Sequence, residues 1–275
     1  MHQDEVPQEW EKNPNYKKYL DRIRRLRLLD DDFMSKCFEE NIECTQLVLS
    51  IILETDDLLV QTVHSQHSIK NLQGRSIRLD VLATDSTGKQ YNIEIQRTDH
   101  GAGAKRARYN SSLIDANILN IGCDFDRLNE TYVIFITEND VIGDNKPIYH
   151  INRTIEETGR KFNDGSHIIY VNAAFKDDQT PLGRLMHDFA CTDPNEMKYP
   201  VLAERTRYFK EHKEGVSNMC KIMEELYDEA VKETSIKTKR DVALSMLKDG
   251  SLPYEKIAEY SGLPLEEIEA LAKEL

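Results

Sequence analysis

The sequence lacks the features that would place it in a membrane or in an oxidising compartment. Its longest aliphatic stretch, residues 47–53, is interrupted by a serine and is far too short to span a bilayer. Its five cysteines form no CxxC pair, which is typical of reduced thiols in a cytosolic protein. The N-terminus has no basic segment followed by an apolar one, as a secretory signal would. These absences predict a cytoplasmic protein with no membrane partner.

Several catalytic motifs are also missing, and positive charge is scarce. His64 and His67 have an HxxH spacing, but no HExxH motif or cysteine partner accompanies them, which disfavours a zinc site. Residues 101–105 contain two glycines without the Lys-Ser/Thr ending of a phosphate-binding loop. The net charge of −13 argues against a phosphate-coating surface, so any nucleic-acid contact must be local or metal-assisted. Basic residues do cluster in two places, at residues 17–27 and at residues 105–108.

Two segments of alternating polar and apolar residues predict a β-hairpin. Residues 76–82 and residues 91–96 each place aliphatic or tyrosine side chains on one face and polar side chains on the other. Residues 85–89 between them suit a three-residue loop in which Gly88 adopts a left-handed conformation. A tight loop of this kind determines which residues of the two strands lie opposite each other.

The register of this hairpin brings two acidic residues together. With Thr87 at the apex of the loop, Asp80 lies opposite Glu94. Side chains directly opposite on one face are about 4.5–5.5 Å apart at Cβ. Two carboxylates this close repel each other unless a cation lies between them or one of them takes a proton. The pattern indicates a metal site or a proton-sharing pair, and a surface salt-bridge network with Arg78 or Arg97 is the structural alternative.

The segments around the hairpin predict an α/β fold with a mixed sheet flanked by helices. Asp30 to Asp32 carry the acidic side chains that are favoured at a helix N-terminus, and the helix predicted after them has an apolar stripe that reaches Ile52. The other predicted elements are strands at 58–63, 131–137 and 167–172, a helix from Lys105 to about Asn120, and helices from Pro181 onward, including a long one over 201–232.

We divide the chain into a charged N-terminal segment at residues 1–29, an α/β domain at residues 30–235, and a tail at residues 236–275. The tail has the spacing of a helix-turn-helix, but its second helix carries four glutamates and one lysine. Such a face would repel DNA phosphates. We therefore expect the tail to bind protein or to pack within the chain in preference to reading bases.

The hairpin resembles the PD-(D/E)XK nuclease superfamily, in the variant where glutamine replaces the usual lysine. The residues that carry this resemblance are Arg78-Leu79-Asp80-Val81 and Ile93-Glu94-Ile95-Gln96. The flanking segments are similar to the recombination-promoting nuclease/transposase family over about residues 30 to 235, notably Asp32-Phe33-Met34, Gly74-Arg75-Ser76, Arg106-Ala107-Arg108-Tyr109, and residues 133–140, 147–149 and 168–172. The resemblance implies a restriction-endonuclease-like core with a helical C-terminal extension.

What the resemblance implies about function is Mg²⁺-dependent cleavage of DNA phosphodiester bonds, with Mn²⁺ as the other candidate ion. Asp80 and Glu94 would be catalytic metal ligands, together with the backbone carbonyl of Ile95. Gln96 would orient a water or a phosphate oxygen, but unlike lysine it carries no charge. A glutamate on the first helix completes the metal site in some related superfamilies, and Glu43 is our first candidate for it, with Glu54 as the second.

The resemblance also implies a contact with the DNA backbone. Arg106 and Tyr109 match the family's basic and aromatic helix and would hold the scissile phosphate, although Asn110 stands where relatives often carry a second tyrosine. The alternative is a nuclease-like fold that has lost strong catalysis and serves as a DNA-binding or regulatory interaction module. Gln96 and the acidic composition favour that alternative, while the intact pair of acids favours the enzyme. Assembly as a homo-oligomer is compatible with both.

Overall fold

The computed structural model describes residues 10–71, 74–97, 99–119 and 122–275. Residues 1–9 of the predicted N-terminal segment lie outside the described residues. The chain forms two compact units, one of residues 20–216 and the other of residues 217–275 together with the described residues before Leu20. The division at residues 30 and 236 stays a prediction. None of the described helices combines the length and the hydropathy that a membrane-spanning segment requires.

A six-stranded mixed sheet forms the centre of the unit at residues 20–216. Its strands are β1 (Val60–Ile69), β2 (Ile77–Asp85), β3 (Gln90–Gln96), β4 (Thr131–Thr137), β5 (Ile148–Ile151) and β6 (Ser166–Asn172), in the spatial order β1-β2-β3-β4-β6-β5. Strands β1 to β3 are antiparallel, β3, β4 and β6 are parallel, and β5 is an antiparallel edge strand. Because β3 and β4 are parallel, their carboxyl ends lie at the same edge of the sheet.

Helices cover both faces of this sheet, which confirms the restriction-endonuclease-like α/β core. The helices whose bounds lie in this unit are α2 (Asp31–Phe38), α3 (Ile42–Leu53), α4 (Ala104–Ile118), α5 (Pro181–Ala190) and α6 (Pro200–Glu211). The near-continuous apolar run of β4 follows from burial on both of its faces, as in other parallel strands. Alternate residues of β2, β3 and β4 therefore face α4 on one side and the other helices on the opposite side.

The predicted hairpin register is confirmed. Val81 pairs with Ile93 and Ala83 pairs with Tyr91, which is the register with Thr87 at the apex. Gly88 has a φ of 85°, so it adopts the left-handed conformation that this loop needs. The strand ladder between β2 and β3 ends at Val81, one residue before Asp80.

Two predicted helices are each interrupted. The helix after Asp30 stops at Phe38, where Glu40 has a φ of 52°, and the side chain of Asn41 starts α3 by accepting a 2.8 Å hydrogen bond from the Cys44 N–H. This N-cap satisfies a backbone donor that a continuous helix would bond internally. The predicted long helix at residues 201–232 is divided between α6 and a longer helix that begins after His212.

The other unit is helical. Its elements include part of α1 (Tyr16–Arg25), most of α7 (Lys213–Asp249), α8 (Tyr254–Ser261) and α9 (Leu265–Glu274). The two short helices and the tight turn predicted for the tail are confirmed, with Gly262 at a φ of 67°. They pack on the end of α7 through a small apolar core made of Ala243, Ile257, Leu263, Ile268 and Leu271.

Candidate active site

Asp80 and Glu94 lie side by side on β2 and β3 at the edge where β3 and β4 end. Both are buried, with 6% of Asp80 and 0% of Glu94 exposed to solvent. Asp80 Oδ2 accepts a 2.9 Å hydrogen bond from the backbone N–H of Ile95. The backbone pairing of β2 with β3 ends one residue earlier, at Val81. Beyond that point this side-chain bond holds the Asp80 carboxylate against β3.

Burial and mutual repulsion disfavour two charges at this position. Burial raises the pKa of Asp80 to about 8, and the negative charges of Glu94 and Asp31 add to this effect. Burial also raises the pKa of Glu94, against the lowering effect of the Arg106 guanidinium. The pair therefore takes up a proton near neutral pH unless a cation replaces it.

Arg106 already supplies one positive charge to the pair. Its Nη2 lies 2.7 Å from Glu94 Oε2, and its Nη1 donates a 3.2 Å hydrogen bond to the carbonyl of Gly101. Arg106 occupies the first turn of α4, and its side chain remains 41% exposed. Lys105 and Arg108 are exposed on the same helix, so the carboxylates lie beside a local basic surface in an otherwise acidic chain.

The donor atoms of the pair suit a hard divalent cation. Glu94 Oε1 and both polar atoms of the Asn92 side chain are buried, and none makes a well-formed hydrogen bond to a described residue, although the neighbouring Asn92 amide is close enough to lower the pKa of Glu94. Unsatisfied buried oxygens are costly unless an ion or water completes them. No group of three or more His, Cys, Asp or Glu side chains that could hold a metal occurs in the described part of the chain. Two carboxylates are nevertheless enough for Mg²⁺, which keeps several of its waters.

Gln96 lies two residues beyond Glu94 on the same face of β3. Its side chain packs directly on the backbone of Gly101, so closely that a Cβ at that glycine would overlap Gln96 Oε1. The carbonyl of Gly101 therefore accepts a hydrogen bond from Arg106, and the absence of a side chain at Gly101 leaves the space that Gln96 occupies. The sequence predicted Gln96 as a site residue but gave no sign of this glycine's role, because the contact depends on how the turn before α4 folds back onto β3.

Two other predicted site residues, Tyr109 and Glu43, have surroundings different from those expected. The Tyr109 hydroxyl donates a 2.5 Å hydrogen bond to the Arg75 carbonyl and accepts one of 3.1 Å from Asn71 Nδ2, so it holds the connection between β1 and β2. Glu43 is exposed near the start of α3. The charges that act most strongly on the Asp80–Glu94 pair belong to Asp31 and Arg106, so the structure does not bring Glu43 to the pair.

Asp31 is the acidic residue that sequence reasoning missed. It lies in the first turn of α2, where its Oδ1 accepts hydrogen bonds from Gln66 Nε2 at 3.3 Å and from Ser35 Oγ at 3.4 Å. Gln66 lies between two residues of β1 that pair with the neighbours of Asp80, and it has a φ of 49°. The acidic run at residues 30–32 was the available signal, but it also fits a helix start.

The structural alternative of a salt bridge with Arg97 is not what the structure shows. Arg97 follows Gln96 and bonds Asp30 at 2.8 Å and Glu138 at 3.4 Å. Arg27 reaches Glu138 as well, at 2.8 Å. These ion pairs lie at the edge of the sheet next to the carboxylate pair, and the cation that pairs with Glu94 is Arg106.

Comparison with known proteins identifies the family. The family model described as PD-(D/E)XK nuclease family transposase matches residues 32–180, which is more than half of the chain. No curated protein and no solved structure matches the chain at a significant level. The matched region contains the whole hairpin, α2 from Asp32 onward, and α4 with Arg106. PD-(D/E)XK nucleases generally use divalent metal ions and act on DNA. The chain therefore belongs to the PD-(D/E)XK nuclease family transposases, a group with nuclease-like or transposase-related functions.

Proposed function

We propose that this protein is a metal-dependent DNA endonuclease that hydrolyses phosphodiester bonds. The observation that carries the proposal is the buried pair of Asp80 and Glu94, in which Arg106 bonds one Glu94 oxygen and the other makes no well-formed hydrogen bond to a described residue. A fold needs no such pair for stability, because two buried like charges oppose folding. Perturbed carboxyl groups beside an exposed basic surface are instead typical of functional sites.

In this proposal the pair holds the ion. Asp80 and Glu94, with the backbone carbonyl of Ile95, are the ligands for Mg²⁺ or Mn²⁺. Such an ion, when bound, lowers the pKa of an attacking water and stabilises the leaving oxygen. The N–H of Ile95 orients Asp80 through its 2.9 Å hydrogen bond, so β3 fixes the Asp80 carboxylate beside Glu94.

In this proposal Arg106 binds a phosphate of the DNA backbone. A guanidinium has five N–H donors, and the bonds to Glu94 and Gly101 use two of them on a side chain that is 41% exposed. Charge-assisted bonds from arginine to phosphate are strong and specific in geometry. Gln96 contributes a neutral amide that orients a water or a phosphate oxygen, and it adds no positive charge to the site.

A plasmid cleavage assay tests this function. Supercoiled DNA should be converted to nicked or linear forms with Mg²⁺ or Mn²⁺ and left intact with a chelator, and the Asp80→Ala and Glu94→Ala variants should be inactive. Single-stranded and linear DNA are included because the geometry of the pair does not distinguish DNA forms. Equal cleavage by the wild type and both variants would refute the metal site.

The alternative is a nuclease-like module that binds DNA without cutting it efficiently. The neutral Gln96 in place of a lysine favours it, as does a donor set of only two carboxylates. A wild-type protein that shifts DNA in a binding assay, but cleaves none of the DNA forms with either ion, would establish this module instead of the enzyme.

The Gly101→Ala variant tests the role of Gln96 without changing Gln96 itself. Because the new Cβ would overlap only the flexible end of the Gln96 side chain, we expect the fold to tolerate it, with a change in the free energy of unfolding of about 1 kcal/mol or less. The displaced amide should lower kcat by about tenfold to a hundredfold. Metal-dependent cleavage and urea unfolding measure the two effects.

Gly103→Ala is the matched control, because nothing lies within 4 Å of a Cβ at that position. It should cleave DNA at the wild-type rate. In a Gln96→Ala background the Gly101→Ala change should have no further effect on kcat, since the side chain that it displaces is already gone. An additive loss in the double variant would show that Gly101 acts through something other than Gln96.

A further inference from the structure

The middle of α7 is exposed along its length, and the described residues that contact it do so near its two ends: Lys18 at Tyr227, the Gly262 carbonyl at Lys239 and Glu267 at Arg240. Every described side chain from Tyr227 to Val242 is exposed, whereas Met223 before this segment and Ala243 after it are buried. Isolated helices of this length are marginal in water, because most helical stability comes from packing of an apolar face. The segment therefore has a face that another surface can stabilise.

One side of this segment is an uncharged stripe. At 3.6 residues per turn, a single face of α7 contains Tyr227, Val231, Thr234, Ser235, Thr238 and Val242. Its larger members are well exposed, with Tyr227 at 48%, Val231 at 49% and Val242 at 38%. The ammonium of Lys18 lies 5.4 Å from the centre of the Tyr227 ring and leaves about half of that side chain accessible. The charged residues of the segment lie beside or opposite the stripe.

The charges along α7 are divided into two blocks of opposite sign. Residues 224–233 contain five acidic residues and one lysine, and residues 234–248 contain four basic residues and one aspartate. If two copies of this helix pack in parallel, like blocks lie side by side. If they pack antiparallel, each acidic block lies beside a basic block of the other copy, and charge complementarity of this kind sets the orientation of paired helices.

We propose that the uncharged stripe of α7 is an interface between two copies of this chain, with their α7 helices antiparallel. A two-fold axis between Thr234 and Ser235 places Tyr227 opposite Val242 of the partner subunit, and Val231 opposite Thr238 of the partner subunit. The small side chains then lie at the axis, where the helices approach most closely, and the larger ones lie at both ends of the contact. Such an interface is self-complementary, as closed two-fold symmetry requires.

The same register pairs charges at one border of the stripe. Asp228 lies about two residues in height from Lys239 of the partner subunit, at 1.5 Å of rise per residue. This pair occurs twice because of the symmetry. Contacts of this kind, at the rim of the interface, favour the correct partner and orientation more than they add affinity.

Sedimentation equilibrium of the full chain tests the proposal. The wild type should be in a monomer–dimer equilibrium across micromolar concentrations. Val231→Arg should raise the dimer dissociation constant by about tenfold or more, because it places an unpaired charge in the interface. Ile236→Arg is the matched control, since Ile236 is 52% exposed on the opposite side of the same helix and should dimerise like the wild type. A monomeric wild type, or equal dissociation constants for both variants, would overturn the proposal.

Cross-linking tests the orientation. Chains carrying Tyr227→Cys and chains carrying Val242→Cys should form a specific disulfide-linked dimer when mixed, and neither should do so alone beyond the background of the five native cysteines. A parallel pair would instead cross-link Tyr227→Cys with itself, and that result would refute the antiparallel arrangement. Unchanged far-UV circular dichroism in every variant would exclude loss of the helix as the cause.

Discussion

The Asp80→Asn variant is expected to lose metal-dependent cleavage and, without metal, to be more stable than the wild type. Asparagine matches aspartate in size, and its amide oxygen can still accept the hydrogen bond from the Ile95 N–H. It removes the negative charge that repels Glu94, and it also removes a ligand of the proposed ion. We expect cleavage to fall by about 10³-fold, which corresponds to about 4 kcal/mol of transition-state stabilisation.

The gain in stability should depend on pH. In the folded chain, burial and the charge of Glu94 raise the pKa of Asp80 from its ordinary value of 3.8 to about 8. Between these values the folded chain holds a proton that the unfolded chain releases, so the stability of the wild type falls as the pH rises. The asparagine of the variant does not titrate, so the advantage of Asp80→Asn is near zero at about pH 4 and reaches about 1–3 kcal/mol above pH 8.

Urea unfolding in the presence of a chelator, at acidic and at alkaline pH, measures this gain. Asp85→Asn is the matched control, because Asp85 lies on the same strand and is equally buried. Although burial opposes it, hydrogen bonds from Thr87 and Tyr91 lower the pKa of Asp85, so its replacement should cost about 1–2 kcal/mol and leave cleavage intact. A metal-free Asp80→Asn protein that is less stable than the wild type at alkaline pH would contradict the electrostatic account of the site.

The fold was predictable where local chemistry decides it. The alternation in β2 and β3 and the glycine at position 88 determine the hairpin register through strand periodicity and turn geometry alone, and the structure has that register. The four-residue strand β5 was missed, because it is a partly exposed edge strand without clear alternation. The break at Glu40 was missed as well, because a left-handed glutamate has no strong sequence signature.

The residues that surround the Asp80–Glu94 pair were less predictable than the pair itself. Asp80 and Glu94 are neighbours along a hairpin, so sequence distance was enough to bring them together. Asp31 reaches them only because α2 docks beside β1, where Gln66 adopts a left-handed conformation, and tertiary packing of this kind leaves no periodic signal. Arg106 was predicted as a phosphate contact, but its ion pair with Glu94 depends on how α4 crosses the sheet.

The Arg106→Met variant is expected to destabilise the protein and to reduce cleavage together. Methionine keeps much of the side-chain length, but the buried Glu94 then loses the cation at 2.7 Å. Removing one partner of a buried ion pair is strongly destabilising, and protonation of Glu94 limits the cost, so we expect a loss of about 2–4 kcal/mol that grows with pH. Loss of the proposed phosphate contact should also lower kcat/KM by about 10²-fold or more.

A double-mutant cycle separates the ion pair from general damage to α4. In a Glu94→Gln background, Arg106→Met should cost much less stability, because no buried charge is left without a partner. Arg108→Met, at an exposed position of the same helix, should change stability by about 0.5 kcal/mol or less. If the pair is also the metal site, Mg²⁺ should restore part of the stability of Arg106→Met, because a cation that binds only the folded chain stabilises it by mass action. Equal losses in both Glu94 backgrounds, with no effect of Mg²⁺, would mean that Arg106 supports the fold by packing and that Glu94 needs no cation.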